Sequence, residues 1–364
     1  MKHARQTRQR EWLCAAGAAV FICAALAAPS SQAQSTALLP AATPEYKEFI
    51  DEAGRTVRVP QPVRRIVSLA PSLTETLYAL GLQDRLVGDT DYCDFPADAQ
   101  KKPKVGGGAN PSLEKIASLH PDIVLVTKGF NRLDTVHSLD SLGISSYATD
   151  PHTVAEIITS SQKLSEVLGV PEAGESVAGE MRRRLEELQQ RIGTLAAKRV
   201  LFVVWAQPLI SIGKETFIAD ALRSAGAVSI VDSEQSWPQV SLEEVARLQP
   251  DFLVFAASHS EAAPQDMEGL ATLPAWRIMD AVSHHRYVVI SDAVNRPAPR
   301  IIEAIEDLAR QLHPDAFVER PEGNKEKMEK ENLAPGSRAA FNSTFCSAVL
   351  QDQTTTSGAR ACAH

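Results

Sequence analysis

Cysteine is scarce in this chain. Five occur in 364 residues, and Cys14 and Cys23 fall inside an N-terminal apolar segment. Cys93, Cys346 and Cys362 remain, too few for a fold that rests on a disulfide framework. Cys346 and Cys362 could pair near the C-terminus, which leaves Cys93 free. Positive charge is also short: 37 Lys and Arg stand against 45 Asp and Glu, a net charge of −8. An acidic chain repels phosphate backbones, so nucleic acid is not an expected partner. Aromatics make up only 5% of the residues, so a ring in an exposed loop carries information.

Motifs for covalent and metal chemistry are missing as well. There is no GxSxG and no recognisable nucleophile–base pairing, which says little by itself because triads assemble in space and not along the sequence. None of the nine histidines stands in an HxxxH or HxH pattern, so no metal site is expected. Gly106-Gly107-Gly108 lacks the dinucleotide fingerprint because Pro111 stands at the third glycine position; it reads as a cleft loop. Gly213-Lys214-Glu215-Thr216 lacks the earlier glycine of a Walker A loop, where Pro208 stands, and Glu215 displaces the hydroxyl residue.

Long apolar runs are absent with one exception. Residues 12–28 are almost wholly apolar, follow Lys2, Arg5, Arg8 and Arg10, and precede Ser31-Gln32-Ala33. Basic start, apolar middle and small-residue cleavage site make residues 1–33 a secretory signal peptide. Cleavage would leave an exported mature chain near −11, since the leader holds four basic residues and one acid. Ile22 precedes Cys23 where lipidation wants a small residue.

What the chain does have is an eleven-residue pattern used twice. Residues 112–122 read SLEKIASLHPD and residues 241–251 read SLEEVARLQPD, with seven identities at an offset of 129. Each copy runs into a short apolar stretch, IVLV or FLVF. Self-similarity at this spacing predicts two related lobes, and a cleft between lobes is where small ligands bind. Around the repeats, short apolar strands alternate with helices. Strands are expected at 65–70, 85–89, 123–126, 146–149, 199–206, 252–255 and 287–290. Helices are expected at 72–80, 111–119 (capped by Asn110), 133–142, 217–226, 242–248 and 299–312. This is the pattern of an α/β fold with mainly parallel sheets flanked by helices. Residues 154–198 break the alternation, with apolar positions at 177, 181, 185, 188, 192 and 195, a helical period. The expected layout is an N-terminal lobe (46–168), a single long connecting helix (169–198), a C-terminal lobe (199–316) and a disordered tail (320–364).

Candidate cleft residues follow from position. Tyr92 and Trp237 stand in loops, where flat rings can wall a large ligand. Asp292 and Arg296 follow the last strand, whose carboxyl end faces the crevice; they either bond the polar edge of a ligand or pair with each other.

Residues 65–81 (RIVSLAPSLTETLYALG), 112–126, 236–248 (SWPQVSLEEVARL) and 291–302 (SDAVNRPAPRII) together resemble the periplasmic substrate-binding proteins of ABC importers. The likeness runs over about residues 55–315 and is closest to the vitamin B12-binding branch. The resemblance implies two lobes joined by one long helix, a monomer, no enzymatic activity and no cofactor. The implied ligand is a corrinoid, with a ferric siderophore or haem as alternatives. An exported two-lobed enzyme acting on a bound cofactor is the reading from another class. By matching motifs, Tyr92, Trp237, Asp292 and Arg296 fall on ligand-lining positions, and Glu114 and Glu243 on those that dock into ABC importer permease subunits. Gly108, Thr127 and Ile210 stand where that branch has aromatics, which implies a roomier first-lobe wall. Ala225 and Ala309 stand in place of its disulfide.

Overall fold

The computed structural model describes residues 45–257 and 269–318. The signal peptide, the tail and the Cys346/Cys362 pair lie outside the described residues.

Glu45–Ile50 (β1) and Thr56–Gln61 (β2) form an antiparallel hairpin. β2 turns Val57 and Val59 inward, the period of a half-buried strand. Buried Asp51 closes the turn: its Oδ1 accepts the Ala53 and Arg55 amides, and its Oδ2 meets the Arg55 guanidinium at 2.7 Å. The same Oδ2 accepts the Ala148 amide at 3.3 Å, tying the hairpin to the lobe.

The first lobe then alternates as its sequence period demands. Ile66–Ser68 (β3), Pro71–Ala79 (α1), Leu86–Gly88 (β4), Leu113–Ser118 (α2), Ile123–Thr127 (β5), Leu133–Ser141 (α3) and Ser146–Thr149 (β6) follow one another. The strands make a parallel sheet in the order β4-β3-β5-β6. β3 and β6 are buried throughout, as strands covered by helices on both faces must be.

The connector is Pro171–Ile192 (α5), 22 residues long, with Val154–Val167 (α4) packed beside it. Gly169 separates them at φ 73°, a left-handed turn that glycine adopts without strain, and Pro171 opens the new helix. Both helices span both cores. Val154, Ile157 and Ile158 of α4 join the second-lobe core, as do Ala178, Met181, Leu188 and Ile192 of α5. Leu164 and Val167 of α4 join the first-lobe core, and Ala173 and Val177 of α5 pack against it. Each fully buried aliphatic side chain along this seam contributes roughly 1.5–3 kcal/mol.

The second lobe repeats the first. Lys198–Val203 (β7) leads to a hairpin of Trp205–Ala206 (β8) and Leu209–Ile210 (β9), then Phe217–Ser224 (α6), Ala227–Ser229 (β10), Leu242–Leu248 (α7), Phe252–Ala256 (β11), Tyr287–Ile290 (β12) and Ile301–Leu312 (α8). Its sheet is parallel in the order β10-β7-β11-β12. In each sheet the lobe's second strand is outermost, followed by its first, third and fourth. α8 buries Ile301, Ile302, Ile305, Leu308 and Leu312, and Arg184 of α5 grips Glu306 on its outer side with bonds of 2.8 and 2.9 Å.

Two local expectations change. Ser112, not Asn110, caps α2, its hydroxyl accepting the Lys115 amide; a bridge between Gly106 and Pro111 keeps Asn110 out of the helix. The strand expected to reach residue 206 stops at Val203, because the chain folds back at once into the β8–β9 hairpin.

Candidate functional site

A cavity of about 890 Å³ opens between the lobes. Its first-lobe wall is built from residues 70–72 after β3, 127–130 at the end of β5, and 150–152 after β6. The second lobe supplies residues 215–217, Ser236 and Trp237, and residues 292 and 295–297 after β12. Carboxyl ends of strands at a switch in strand order are where open α/β sheets hold ligands. Here two such ends face one space.

Tyr92 and Trp237 both line this cavity, from opposite lobes. They are 63% and 53% exposed, so each ring presents most of a face to a ligand instead of to the core. Phe130 lines it too, at 45% exposure. The extra room implied at Gly108 is therefore taken up, since the Phe130 ring lies against that glycine. Thr127 lines the cavity as expected of its place, whereas Ile210 pairs with Trp205 in the β8–β9 hairpin. Ala225 and Ala309 are both buried in the same second-lobe core, which needs no cross-link there to pack.

Asp292 and Arg296 line the cavity and also pair with each other at 2.9 Å. Arg296 does more than that. Its guanidinium reaches Glu75 at 2.6 Å and Asp94 at 2.8 Å, both on the first lobe. Arg300 meets Glu75 through two bonds of 2.8 and 2.9 Å and stacks over the Phe95 ring at 4.0 Å. Burial disfavours both guanidinium charges, but Glu75 and then the aspartates outweigh it and hold both arginines above their ordinary pKa. This ionic cluster joins the lobes beneath the cavity. Behind it, Glu75, Phe95 and Arg300 face a second hollow of about 400 Å³ against α5.

Sequence reasoning missed Glu75, Arg300 and Phe130. It also missed a polar group in the cavity wall, where Lys128 meets Asp150 at 2.5 Å and His152 meets the other oxygen of Asp150 at 3.3 Å. A carboxylate within the buried stretch of α1 was the available sign of Glu75, because a buried charge demands a partner. Glu114 and Glu243 lie away from the cavity, exposed in the first turns of α2 and α7. Among the described residues no group of three or more His, Cys, Asp or Glu could hold a metal ion. The cavity thus has aromatic rings from both lobes in its wall, with Lys128, Asp150, Asp292 and Arg296 beside them.

The periplasmic binding protein family model matches residues 66–294, from β3 to the turn after β12. The chain belongs to that family. An ABC transporter substrate-binding lipoprotein of Bacillus subtilis is 31% identical over 277 residues, covering 74% of this chain and 86% of its own. A vitamin B12-binding protein of Vibrio cholerae is 31% identical over 256 residues, 70% of this chain and 90% of its own. Among solved structures, the periplasmic vitamin B12-binding protein of Vibrio cholerae aligns with a TM-score of 0.60 at 28% identity, over 70% of this chain and 98% of that one. A periplasmic haem-binding protein in complex with two haems aligns at 0.63 and 26% identity, over 69% and 98%. The two parallel-sheet lobes of this chain enclose the cavity, and the family match takes in Tyr92, Trp237 and Asp292 and stops just short of Arg296.

Proposed function

We propose that the protein captures a corrinoid between its lobes and hands it, unchanged, to the permease subunits of an ABC importer. The observation that carries this is the interlobe cavity itself, walled by Tyr92 and Phe130 on one side and Trp237 on the other. Likeness to vitamin B12-binding proteins at 31% identity supports the ligand class. The signal peptide expected at residues 1–33 fits export to the periplasm, where such a receptor meets its ligand.

Charge favours a corrinoid over haem. The cavity wall holds Lys128 and Arg296 against Asp150, Glu215 and Asp292, two cations against three carboxylates. Both cations already have acidic partners. A haem brings two propionates, which want uncommitted cations; a corrinoid brings a rim of neutral amides, which hydrogen-bond to carboxylates and hydroxyls at no cost in charge. Haem is kept as the second reading because a haem-binding structure aligns over both lobes.

Calorimetric titration with hydroxocobalamin, haem and a ferric siderophore tests the assignment. Hydroxocobalamin is expected to bind most tightly. If nothing binds below about 10 µM, roughly −7 kcal/mol, the reading fails. Recovery of a chemically altered ligand would turn the assignment toward an enzyme.

A further inference from the structure

Tyr92 and Phe130 stand over the same short stretch of backbone. A methyl built on Gly107 would touch the Tyr92 ring, 3.7 Å from Cε2. One built on Gly108 would lie 2.8 Å from Phe130 Cζ and 2.9 Å from the Leu69 carbonyl oxygen, and nearer still to Phe130 Cε1. Side-chain carbon does not fit at such distances, so Gly108 is bare where the Phe130 ring fills the place of its side chain. This gives the triglycine loop a use that has nothing to do with phosphate.

The chain fixes Phe130 from both sides. Gly129 takes φ 82°, a turn in which glycine is unstrained. Asn131 donates from Nδ2 to the Leu69 and Gly108 carbonyl oxygens, each at 2.9 Å, and its Oδ1 accepts the Thr127 amide at 2.7 Å. Asn131 thus fastens the end of β5 to the end of β3 and to the glycine loop, with Phe130 held next to it. The ring's inner face is spoken for, and its outer side lines the cavity at 45% exposure. A ring fixed before binding spares the complex the cost of ordering it.

We propose that the loop 106–108 is a seat for two ligand-facing rings, and that Phe130 is a specificity-determining contact for the flat face of a tetrapyrrole-type ligand. The second half rests on the corrinoid reading above. The seat puts two rings on the first lobe and leaves Trp237 to face them from the second.

Hydroxocobalamin titrated into the wild type, Phe130→Ala and Phe130→Trp tests the contact. The alanine variant should bind about 10- to 100-fold more weakly, the loss seen when an aromatic is removed from under a planar group. The tryptophan variant should stay within about threefold, since a flat face is restored. Equal affinity for the wild type and Phe130→Ala overturns the contact. The seat is read without ligand, from the Gly108 α-protons in an NMR spectrum. They lie against the ring and should be shifted by its ring current in the wild type and released in Phe130→Ala. Gly108 resonances that do not move between the two overturn the seat. A wild type that does not bind hydroxocobalamin overturns the corrinoid reading and the ring's ligand with it, while the Gly108 resonances still decide the seat.

Discussion

Replacing Glu75 with glutamine tests the ionic cluster that joins the lobes. The Glu75 carboxylate is buried and accepts three guanidinium bonds, at 2.6 Å from Arg296 and at 2.8 and 2.9 Å from Arg300. Glutamine keeps the shape and one acceptor oxygen but turns an amide donor toward donors. Removing one partner of a buried ion pair costs about 3–5 kcal/mol. Asp94 and Asp292 stay behind as counterions for the two arginines, so the loss should fall at the low end, about 3 kcal/mol. In a domain of this size that lowers the thermal midpoint by about 6–12 °C. Because Glu75 is on one lobe and both arginines on the other, the single transition should also broaden or split. Scanning calorimetry of the wild type, Glu75→Gln, Arg300→Met and the double variant supplies the coupling energy. The effect should persist in 0.5 M salt, roughly a Debye length of 4 Å, because the pair is out of solvent. A midpoint shift below about 2 °C, the scale of an exposed ion pair, would refute the claim that this cluster clamps the lobes.

Trp237→Ala should weaken corrinoid binding by about tenfold or more and remove most of the ligand-induced fluorescence quenching, since Trp276 is buried in the core and exposed Trp205 is not among the residues that line the cavity; quenching that survives would take Trp237 out of the site. Glu114→Ala combined with Glu243→Ala should leave the ligand Kd unchanged and weaken association with the permease, and association at wild-type strength would rule out docking through these residues. Buried Asp89 has its carboxyl pushed up to about 6 by burial, against the opposing pull of Lys104 at 2.7 Å. Its native pKa lies above the unfolded value of about 3.9. Protonation therefore favours the fold, and the stability it adds is complete below about pH 4 and lost as pH rises through 6. Relative to Asp89→Asn, the wild type should lose on the order of 2–3 kcal/mol between pH 4 and pH 7; parallel stability curves from denaturant titrations would show that Asp89 does not carry this linkage.

The lobes were legible because their strands and helices have a local period. Residues 123–126 and 252–255 are short apolar runs after a helix, and a buried parallel strand has no other look. Tyr92 and Trp237 were legible for the opposite reason, as rings in loops with no apolar period to absorb them. The β1–β2 hairpin was not anticipated, because β1 is almost wholly exposed and Asp51, which closes the turn, takes part of its purchase from Ala148, 97 residues on. Glu75 was hidden in the same way: its partners lie 221 and 225 residues away, and no spacing rule links them. Phe130 was passed over because Gly-Phe-Asn reads as a plain turn. Its place depends on Gly108 being bare, which becomes visible only when the two loops are brought together.

The duplicated segment can now be divided into what the fold uses and what it does not. Asp122 accepts the Arg64 and Arg65 amides through Oδ2, and Asp251 accepts the Arg199 amide in the same way. Arg65 and Arg199 each return the favour, donating to the last carbonyls of the repeat helix: Leu119 and His120 in one lobe, Leu248 and Gln249 in the other. His120 and Gln249 take left-handed φ of 44° and 46° at matching places, the strained turn that Pro-Asp follows into the strand. Leu113 and Leu242 pack against the cores of their lobes. Ser112 caps its helix and Ser241 stands at the same N-cap position. Each of these positions has work inside its own lobe. Glu114 and Glu243 have none: each is exposed, and among the described residues neither side chain makes an ion pair or hydrogen bond, although neighbouring Glu244 pairs with Arg247 at 3.7 Å. A favourable place near a helix N-terminus is worth about 0.3–1 kcal/mol and would be met by any acid in the first turn. The same acid at the same position of both lobes is what a partner with matched basic sockets would require, and it is on this pair that the importer reading bears most directly.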